Sequence, residues 1–393
     1  MQKNFLPLNA PSFSSNEKKY LNNCIDTSWV STAGSYVNEF ESKVSSFTGS
    51  KFAVAFNSGT AALQIALQII GVKENDEVII PTITFIAPVN AINYNRAKPI
   101  FIDTDDFCNI DVEKLKNFIA NETYFKNGET FNKKTNNRIR AIIPVHVWGN
   151  ASNLEPVLDI LNERNIDIVE DASESLGTFY SKGNLNLKHT GTIGRLGCLS
   201  FNGNKIITSG GGGMIVTNDQ KLADKAFYLS NQAKDDPIKF IHNEVGYNYR
   251  LTNIQAAIGL AQLEKIDSIL QSKKKIHGNY IELFNNPDQA WIMKSPFYSR
   301  SNNWMNILMI NERLKVDINN LLEYFSTENI ETRPIWLPNH LQLPYRACER
   351  YMIKNAENII KNSLCIPSSS DLKSEDLDRI FKTFKNYLNL KGI

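Results

Sequence analysis

Between residues 51 and 217, short apolar runs alternate with amphipathic segments, and this alternation constrains the fold more than any other feature of the sequence. The apolar runs predict seven strands, at residues 52–56, 77–80, 99–102, 141–145, 167–170, 199–201 and 214–217. Helix-like segments lie between several of them, at residues 60–70, 87–93, 111–119 and 154–164. Apolar strands that alternate with helices are typical of a mostly parallel sheet covered on both faces. The predicted fold class is therefore α/β with a seven-stranded sheet.

The pattern changes after residue 221. Later segments predict helices at residues 221–233, 253–273, 317–327 and 374–388 and a strand at 304–310. We therefore predict a large α/β domain over residues 1–250, with an N-terminal arm at 1–30, and a small α+β domain over residues 251–393. The first helix of the small domain is expected to be shared with the large one. Residues 121–138 are polar and lack periodicity, so they are predicted to be a surface insertion without regular structure.

Composition narrows the class of protein. The formal net charge is only +2 and the sequence has no long basic run, so no nucleic-acid partner is expected. The first ten residues lack the apolar stretch of a secretory signal, and no apolar window approaches the length of a membrane span. The five cysteines are widely scattered and form no metal-binding pattern. These features predict a cytoplasmic protein with reduced thiols and neither a metal nor a membrane partner.

Three segments carry residues suited to chemistry. The first is Asn57-Ser58-Gly59-Thr60, which follows the first strand and opens the first helix. Such a turn offers free backbone N–H groups and the positive end of a helix dipole to a phosphate. The alternative is an ordinary structural cap.

The second segment ends in Asp171, at the carboxyl end of a predicted parallel strand. In α/β folds this position faces the crevice where ligands bind. Asp171 could pair with a cationic ring nitrogen, a metal or a ribose hydroxyl, or could simply cap the next segment.

The third segment places Lys205 between a short strand and the glycine run at residues 210–213. A desolvated lysine there makes its neutral amine accessible for imine chemistry. Glycines allow the backbone to approach a flat ligand closely. The alternative is an exposed loop lysine beside a flexible turn. The spacing is that of neither GxGxxG nor GxxxxGK[ST], which argues against a nicotinamide-dependent oxidoreductase.

Taken in order, the motifs form a specific series. The chain contains NSGTAAL, PTITFIAPVNAI, VHVWGN, EDASESLG, SFNGNK and GYNYRLTNIQAAIGLAQL. This series resembles the DegT/StrS-type nucleotide-sugar aminotransferases, which are fold-type I enzymes that use pyridoxal 5'-phosphate (PLP). The resemblance covers nearly the whole chain. It implies a homodimer with shared active sites, a nucleotide-sugar acceptor and L-glutamate as the amino donor.

The resemblance also implies roles for individual residues. Lys205 matches the lysine that holds PLP and moves protons, and Asp171 matches the carboxylate that pairs with the pyridine nitrogen. Some relatives are dehydratases with His in place of the lysine, so Lys205 favours transamination. The remaining implied contacts with PLP are the stacking residue Phe85, a phosphate cradle, a phosphate contact from the second subunit and a residue near the ring hydroxyl. The phosphate cradle is implied to be Gly59, Thr60 and Ser200. The phosphate contact from the second subunit is implied to be Asn248. The residue near the ring hydroxyl is Glu174, where many relatives have Gln.

The substrate is the less constrained inference. The segment ETRPIW at residues 331–336 resembles the branch acting on UDP-4-keto-6-deoxy-N-acetylglucosamine, which feeds N-acetylbacillosamine or legionaminic acid synthesis. The alternatives are a GDP-linked or dTDP-linked keto sugar, or a non-catalytic PLP-binding regulator of the same fold. The candidate substrate contacts are Trp29, Ser31, His146, Asn202, Arg333 and Trp336. The alternative for His146 is a structural role. The alternative for Arg333 is a surface ion pair, and the alternative for Trp336 is a buried aromatic side chain.

Overall fold

A computed structural model describes residues 4–236 and 238–392. Among them, the α-helices are α1 (Glu17–Asp26), α2 (Ser35–Thr48), α3 (Gly59–Ile69), α4 (Ile86–Tyr94), α5 (Val112–Glu122), α6 (Leu158–Glu163), α7 (Gln220–Ser230), α8 (Asn253–Glu264), α9 (Ile266–Leu283), α10 (Ile318–Thr327), α11 (Asn355–Ile359) and α12 (Ser374–Leu390). Within the same residues, no helix combines the length and the apolarity that a membrane crossing requires.

The strands of the described residues are two to five residues long. They are β1 (Phe52–Phe56), β2 (Glu77–Pro81), β3 (Lys98–Ile102), β4 (Thr123–Lys126), β5 (Glu129–Asn132), β6 (Arg138–Ile142), β7 (Asp167–Asp171), β8 (Phe179–Tyr180), β9 (Leu196–Ser200), β10 (Gly213–Thr217), β11 (Asn285–Asn286), β12 (Ala290–Ile292), β13 (Ser299–Arg300), β14 (Asn306–Ile310), β15 (Arg333–Pro334), β16 (Glu349–Tyr351) and β17 (Ser363–Ile366).

The seven predicted strands lie side by side in one large sheet. Its order is β1-β10-β9-β7-β6-β2-β3-β16. The pairs from β9 to β16 are parallel, whereas β10 runs antiparallel to both of its neighbours. Every residue of β2 and of β10 is buried, as expected for strands covered by helices on both faces. The α/β class with a mostly parallel sheet is therefore confirmed, and β16 extends the predicted sheet at one edge.

One strand is displaced from its predicted position. The prediction placed it at residues 141–145, but β6 begins at Arg138 and ends at Ile142. Pro144 lies just beyond, and because proline has no backbone N–H, it cannot donate to a strand ladder. The apolar run therefore extends beyond the last residue of the strand.

The prediction for residues 121–138 was wrong. This segment forms the hairpin β4–β5, and β5 also pairs with β6 at the large sheet. The turn is Asn127-Gly128, and both residues have positive φ, 53° and 79°. An Asn-Gly pair between two short runs is a strong hairpin signal. The signal was present, but the polar composition of the segment masked it.

The C-terminal half builds a second sheet of order β11-β12-β14-β17-β15, with antiparallel pairing throughout. Helices α9, α10 and α12 cover it and bury their own apolar cluster. Helix α8 instead packs on α1 and α2. The helix predicted over residues 253–273 is two helices, α8 and α9, because Lys265 leaves the helical conformation at φ −110° and ψ 13°. The domain division at residue 250 remains a prediction, and β16 crosses it by joining the large sheet.

Candidate active site

A cavity of about 600 Å³ opens where β1, β2, β7 and β9 end. Ten of the residues predicted from the sequence line it, and they come from distant parts of the chain. They are Gly59, Thr60, Phe85, Asp171, Glu174, Ser200, Asn202, Lys205, Arg333 and Trp336. The carboxyl ends of parallel strands meet at one edge of a sheet, which is why these segments converge. The fold therefore brings the three chemical segments into one site.

The turn before α3 forms one wall of the cavity. Ser58 caps the helix by accepting a hydrogen bond from the Ala61 N–H. In the described part of the chain, no protein group accepts from the N–H groups of Gly59 and Thr60. A Cβ on Gly213 would lie 2.4 Å from the Gly59 nitrogen, so only glycine lets β10 pass this turn. The free N–H groups and the helix dipole fit a phosphate.

Asp171 lies at the end of β7 and is 4% exposed. Burial raises the pKa of its carboxyl, an effect that Ser173 and the positive charge of Lys205 partly oppose. The Ser173 N–H donates to Oδ1 at 3.0 Å. A buried carboxylate needs a cationic partner. The protonated ring nitrogen of PLP is such a partner. Asp171 and the turn before α3, whose free N–H groups suit a phosphate, therefore fit this cofactor.

Lys205 is not the exposed loop lysine that its sequence context also allowed, since its side chain is only 13% exposed. Nζ lies 3.4 Å from Glu174 Oε1 and 4.2 Å from the centroid of the Trp304 ring. The second oxygen of Glu174 accepts from the Trp148 N–H at 2.8 Å. Burial raises the pKa of Glu174 to about 6, although the charge of Lys205 opposes the shift. Glu174 is therefore a direct neighbour of the lysine.

Aromatic rings and one cation surround the mouth of the cavity. The Trp336 ring lies 5.3 Å from the Trp148 ring and 6.1 Å from that of Phe85, measured between centroids. Phe85 is 55% exposed, so its face is open to a ligand. Arg333 pairs with Glu331 at 2.5 Å, and its side chain remains largely exposed. This mouth offers stacking surfaces and a guanidinium to an anionic, ring-containing ligand.

Four predicted contacts do not line this cavity. His146 is fully buried, with Nε2 2.9 Å from Glu170 and Nδ1 accepting from the Ser152 N–H. Both ring nitrogens are used by the protein, which favours the structural alternative, and a contact of His146 with substrate stays an untested prediction. Trp29 and Ser31 are exposed, and Asn253 binds both of their backbone carbonyls.

Asn248 is the fourth. It is exposed, and its carbonyl accepts from the Asn57 side chain at 3.4 Å. Asn248 lies outside the cavity of its own chain, and its contact with the phosphate of a second subunit remains a prediction.

The structure also adds residues that the motifs did not indicate. Leu8, Asn9 and Trp304 line the cavity. Asn9 and Trp304 both bind the backbone carbonyl of Asn204, next to Lys205. No local sequence signal could have found them, since they lie roughly 100 to 200 positions from the segment that they contact.

Comparison with known proteins identifies the family of the chain. The chain belongs to the DegT/DnrJ/EryC1/StrS aminotransferase family, whose profile matches residues 11–385. It is thus a PLP-dependent nucleotide-sugar aminotransferase, which confirms the predicted class of enzyme and its cofactor.

Two curated relatives match along all or nearly all of their length. GDP-perosamine synthase of Escherichia coli O157:H7 is 35% identical over 389 residues, covering 98% of this chain and 100% of that protein. EpsN of Bacillus subtilis (strain 168), whose name describes a pyridoxal phosphate-dependent aminotransferase, is 33% identical over 380 residues, covering 95% and 94%. Among solved structures, PseC of Helicobacter pylori superposes with a TM-score of 0.88 at 22% identity, over 98% of this chain and 100% of that one. That last similarity concerns the fold.

Proposed function

We propose that this enzyme transfers the amino group of L-glutamate to the keto carbon of GDP-4-keto-6-deoxymannose, for the synthesis of a surface glycan. The observation that carries the chemistry is the position of Lys205, whose half-buried amine borders the same cavity as Asp171 and the turn before α3. The GDP-linked acceptor is supported by a relative that is named a GDP-perosamine synthase and matches end to end. The UDP-linked acceptor that the ETRPIW segment indicated has less support.

Lys205 would be the group that moves protons. PLP, when bound, supplies an electron sink for the carbanion that forms at the substrate. Lys205 Nζ removes the proton from the α-carbon of glutamate in the first half of the reaction. In the second half it returns a proton to the former keto carbon of the sugar, so one residue serves as base and then as acid. Asp171 would stabilise the positive ring nitrogen from the floor of the cavity.

The remaining cavity residues would hold the cofactor and the acceptor. Free N–H groups at Gly59 and Thr60, with the Ser200 hydroxyl, would bind the phosphate, and Phe85 would stack on the ring. Arg333 would pair with the diphosphate of the nucleotide. Trp336 and Asn202 would contact the sugar or the base.

Asn248 would reach the phosphate of the partner subunit in a homodimer. The loop before it supports an interface, because Ile238, Phe240 and Val245 are 85%, 70% and 82% exposed. Three large apolar side chains exposed within eight residues are typical of a surface that another chain covers.

The experiment that tests the proposal has two stages. An absorbance spectrum of the protein with PLP is recorded first. One portion is then reduced with borohydride and digested, and a separate, unreduced portion is followed after L-glutamate is added. A label on Lys205 and a band that shifts with glutamate would support the chemistry. A label on Lys205 with a band that does not shift would favour the regulator alternative, and no band or a label elsewhere would contradict the role of Lys205. GDP-4-keto-6-deoxymannose and UDP-4-keto-6-deoxy-N-acetylglucosamine are then compared at equal concentration. A higher kcat/KM with the UDP sugar would overturn the acceptor that we propose.

A further inference from the structure

A lysine lies in the middle of the apolar face of α9. This helix buries Ile266, Ile269, Lys273, Ile276 and Tyr280 at spacings of three and four residues. Lys273 is 3% exposed, and a charge at such a position must lose its water. Burial lowers the pKa of Lys273 to about 7. None of the chemistry above uses this residue, so its retention in the core needs another explanation.

The ammonium of Lys273 has three acceptors. Nζ donates to Asn9 Oδ1 at 2.9 Å, to the Trp304 carbonyl at 3.1 Å and to the Ser368 carbonyl. An ammonium has three N–H groups, so these contacts use all of them. The charge of Asp371 opposes the lowering of the pKa of Lys273 by burial. Lys273 thus joins three segments, namely the N-terminal arm, the chain before β14 and the turn after β17.

Two of these partners also donate hydrogen bonds to the loop that carries Lys205. Asn9 Nδ2 and Trp304 Nε1 each donate to the Asn204 carbonyl at 2.6 Å, and together they occupy both of its lone pairs. Asn204 precedes Lys205 directly in the chain. The Trp304 ring also lies beneath Lys205 Nζ at 4.2 Å. The buried ammonium is therefore two contacts away from the amine of Lys205.

We propose that Lys273 is a positioning residue for the transamination. Its ammonium fixes Asn9 and Trp304, and these two residues fix the backbone before Lys205 and the position of its amine. The inference rests on the role of Lys205 in the proposed function. Proton transfer is sensitive to misplacement of the base, so loosening this support should affect the chemical step more than binding.

The test compares Lys273→Met with Lys274→Met. Methionine has a similar length and lacks the ammonium, and Lys274 is exposed on the next position of the same helix. For Lys273→Met we expect kcat to fall by about tenfold to a hundredfold while KM for glutamate stays within about twofold. Without PLP, hydrogen–deuterium exchange at residues 6–10 and 202–206 should become faster in Lys273→Met and remain unchanged in Lys274→Met.

Three results would overturn the inference. The first is a Lys273→Met enzyme with the kcat and exchange of the wild type. The second is a loss of kcat that excess PLP restores fully, because it would reflect cofactor affinity alone. If Lys273→Met does not fold, Asn9→Ala breaks the same connection at a partly exposed residue. The third result that would overturn the inference is an Asn9→Ala enzyme with the kcat and the hydrogen–deuterium exchange rates of the wild type. Lys205→Ala is measured in parallel: normal turnover there would refute the proposed function, whereas an inactive Lys205→Ala beside a fully active Lys273→Met refutes this inference alone.

Discussion

Lys205 Nζ and Glu174 Oε1 lie 3.4 Å apart, and the other oxygen of Glu174 accepts the Trp148 N–H at 2.8 Å. The carboxyl is buried beside the amine, and the pKa of Glu174 is raised from 4.5 to about 6. In the folded apoprotein it holds its proton between pH 4.5 and 6, where the unfolded chain has lost it. Stability therefore falls as pH rises through this window, by about 2 kcal/mol in total.

Replacing Glu174 by Gln should remove that dependence. Glutamine keeps an acceptor for the Trp148 N–H and has no proton to lose. The difference in free energy of unfolding between Glu174→Gln and wild type should grow in favour of the variant by about 2 kcal/mol from pH 4.5 to pH 7. Thermal unfolding of both apoproteins across this range measures it, and a difference independent of pH would contradict the assignment.

Asp171→Asn should keep the fold and lose activity. The amide is nearly isosteric, so the Tm should stay within a few degrees of the wild type. An amide cannot stabilise a cationic ring nitrogen, so kcat should fall by at least about a hundredfold. Single-turnover absorbance with L-glutamate measures this step. Rates near those of the wild type would remove Asp171 from the site.

Mixed dimers test whether Asn248 serves the partner subunit. Asn248→Ala should weaken PLP binding, and Lys205→Ala should be inactive. When the two variants are mixed and allowed to exchange subunits, one site of each heterodimer would regain both residues. About half of the wild-type activity per heterodimer is the expected limit, since the other site carries both changes. Absence of regained activity, with exchange verified by mass spectrometry, would contradict a shared site.

Arg333→Ala should affect the second half of the reaction only. The guanidinium is at the mouth of the cavity and paired with Glu331. We expect KM for the nucleotide sugar to rise about tenfold, with the rate of reaction with glutamate unchanged. Arg313→Ala, at an exposed position outside this cavity, is the matched control. An unchanged KM in Arg333→Ala would assign the arginine to a surface ion pair.

Glu170→Gln should destabilise the fold. The Glu170 carboxylate is fully buried and accepts from His146 Nε2 and from the backbone N–H groups of residues 191, 193 and 194. Burial alone would raise the pKa of Glu170, but these bonds and His146 lower it. A glutamine would turn its NH2 group towards two of these four donors, at a cost of about 2–4 kcal/mol. Chemical denaturation measures the loss, and Glu163→Gln, exposed at the end of α6, should show none.

Much of the fold could be predicted because its signals are local. Apolar runs of four to five residues gave the central strands, and the Ser58 cap gave the start of α3. The failures were also local in origin. The polar hairpin at 123–132 was hidden by its composition, and the break at Lys265 leaves no trace in an amphipathic pattern that continues across it.

The sequence by itself determined the class of fold, because hydrophobic periodicity is a local signal, and it determined the order of the motifs. The resemblance of that series of motifs to a known family made Lys205 and Asp171 the leading candidates. The tertiary structure decided which residues surround them. It buried His146, whose two ring nitrogens have protein partners. It also added Trp304 and Asn9, which contact the loop of Lys205 from far along the chain, and Lys273, which contacts both of them. Periodicity reports which face of an element is buried, whereas only packing determines what that face contacts.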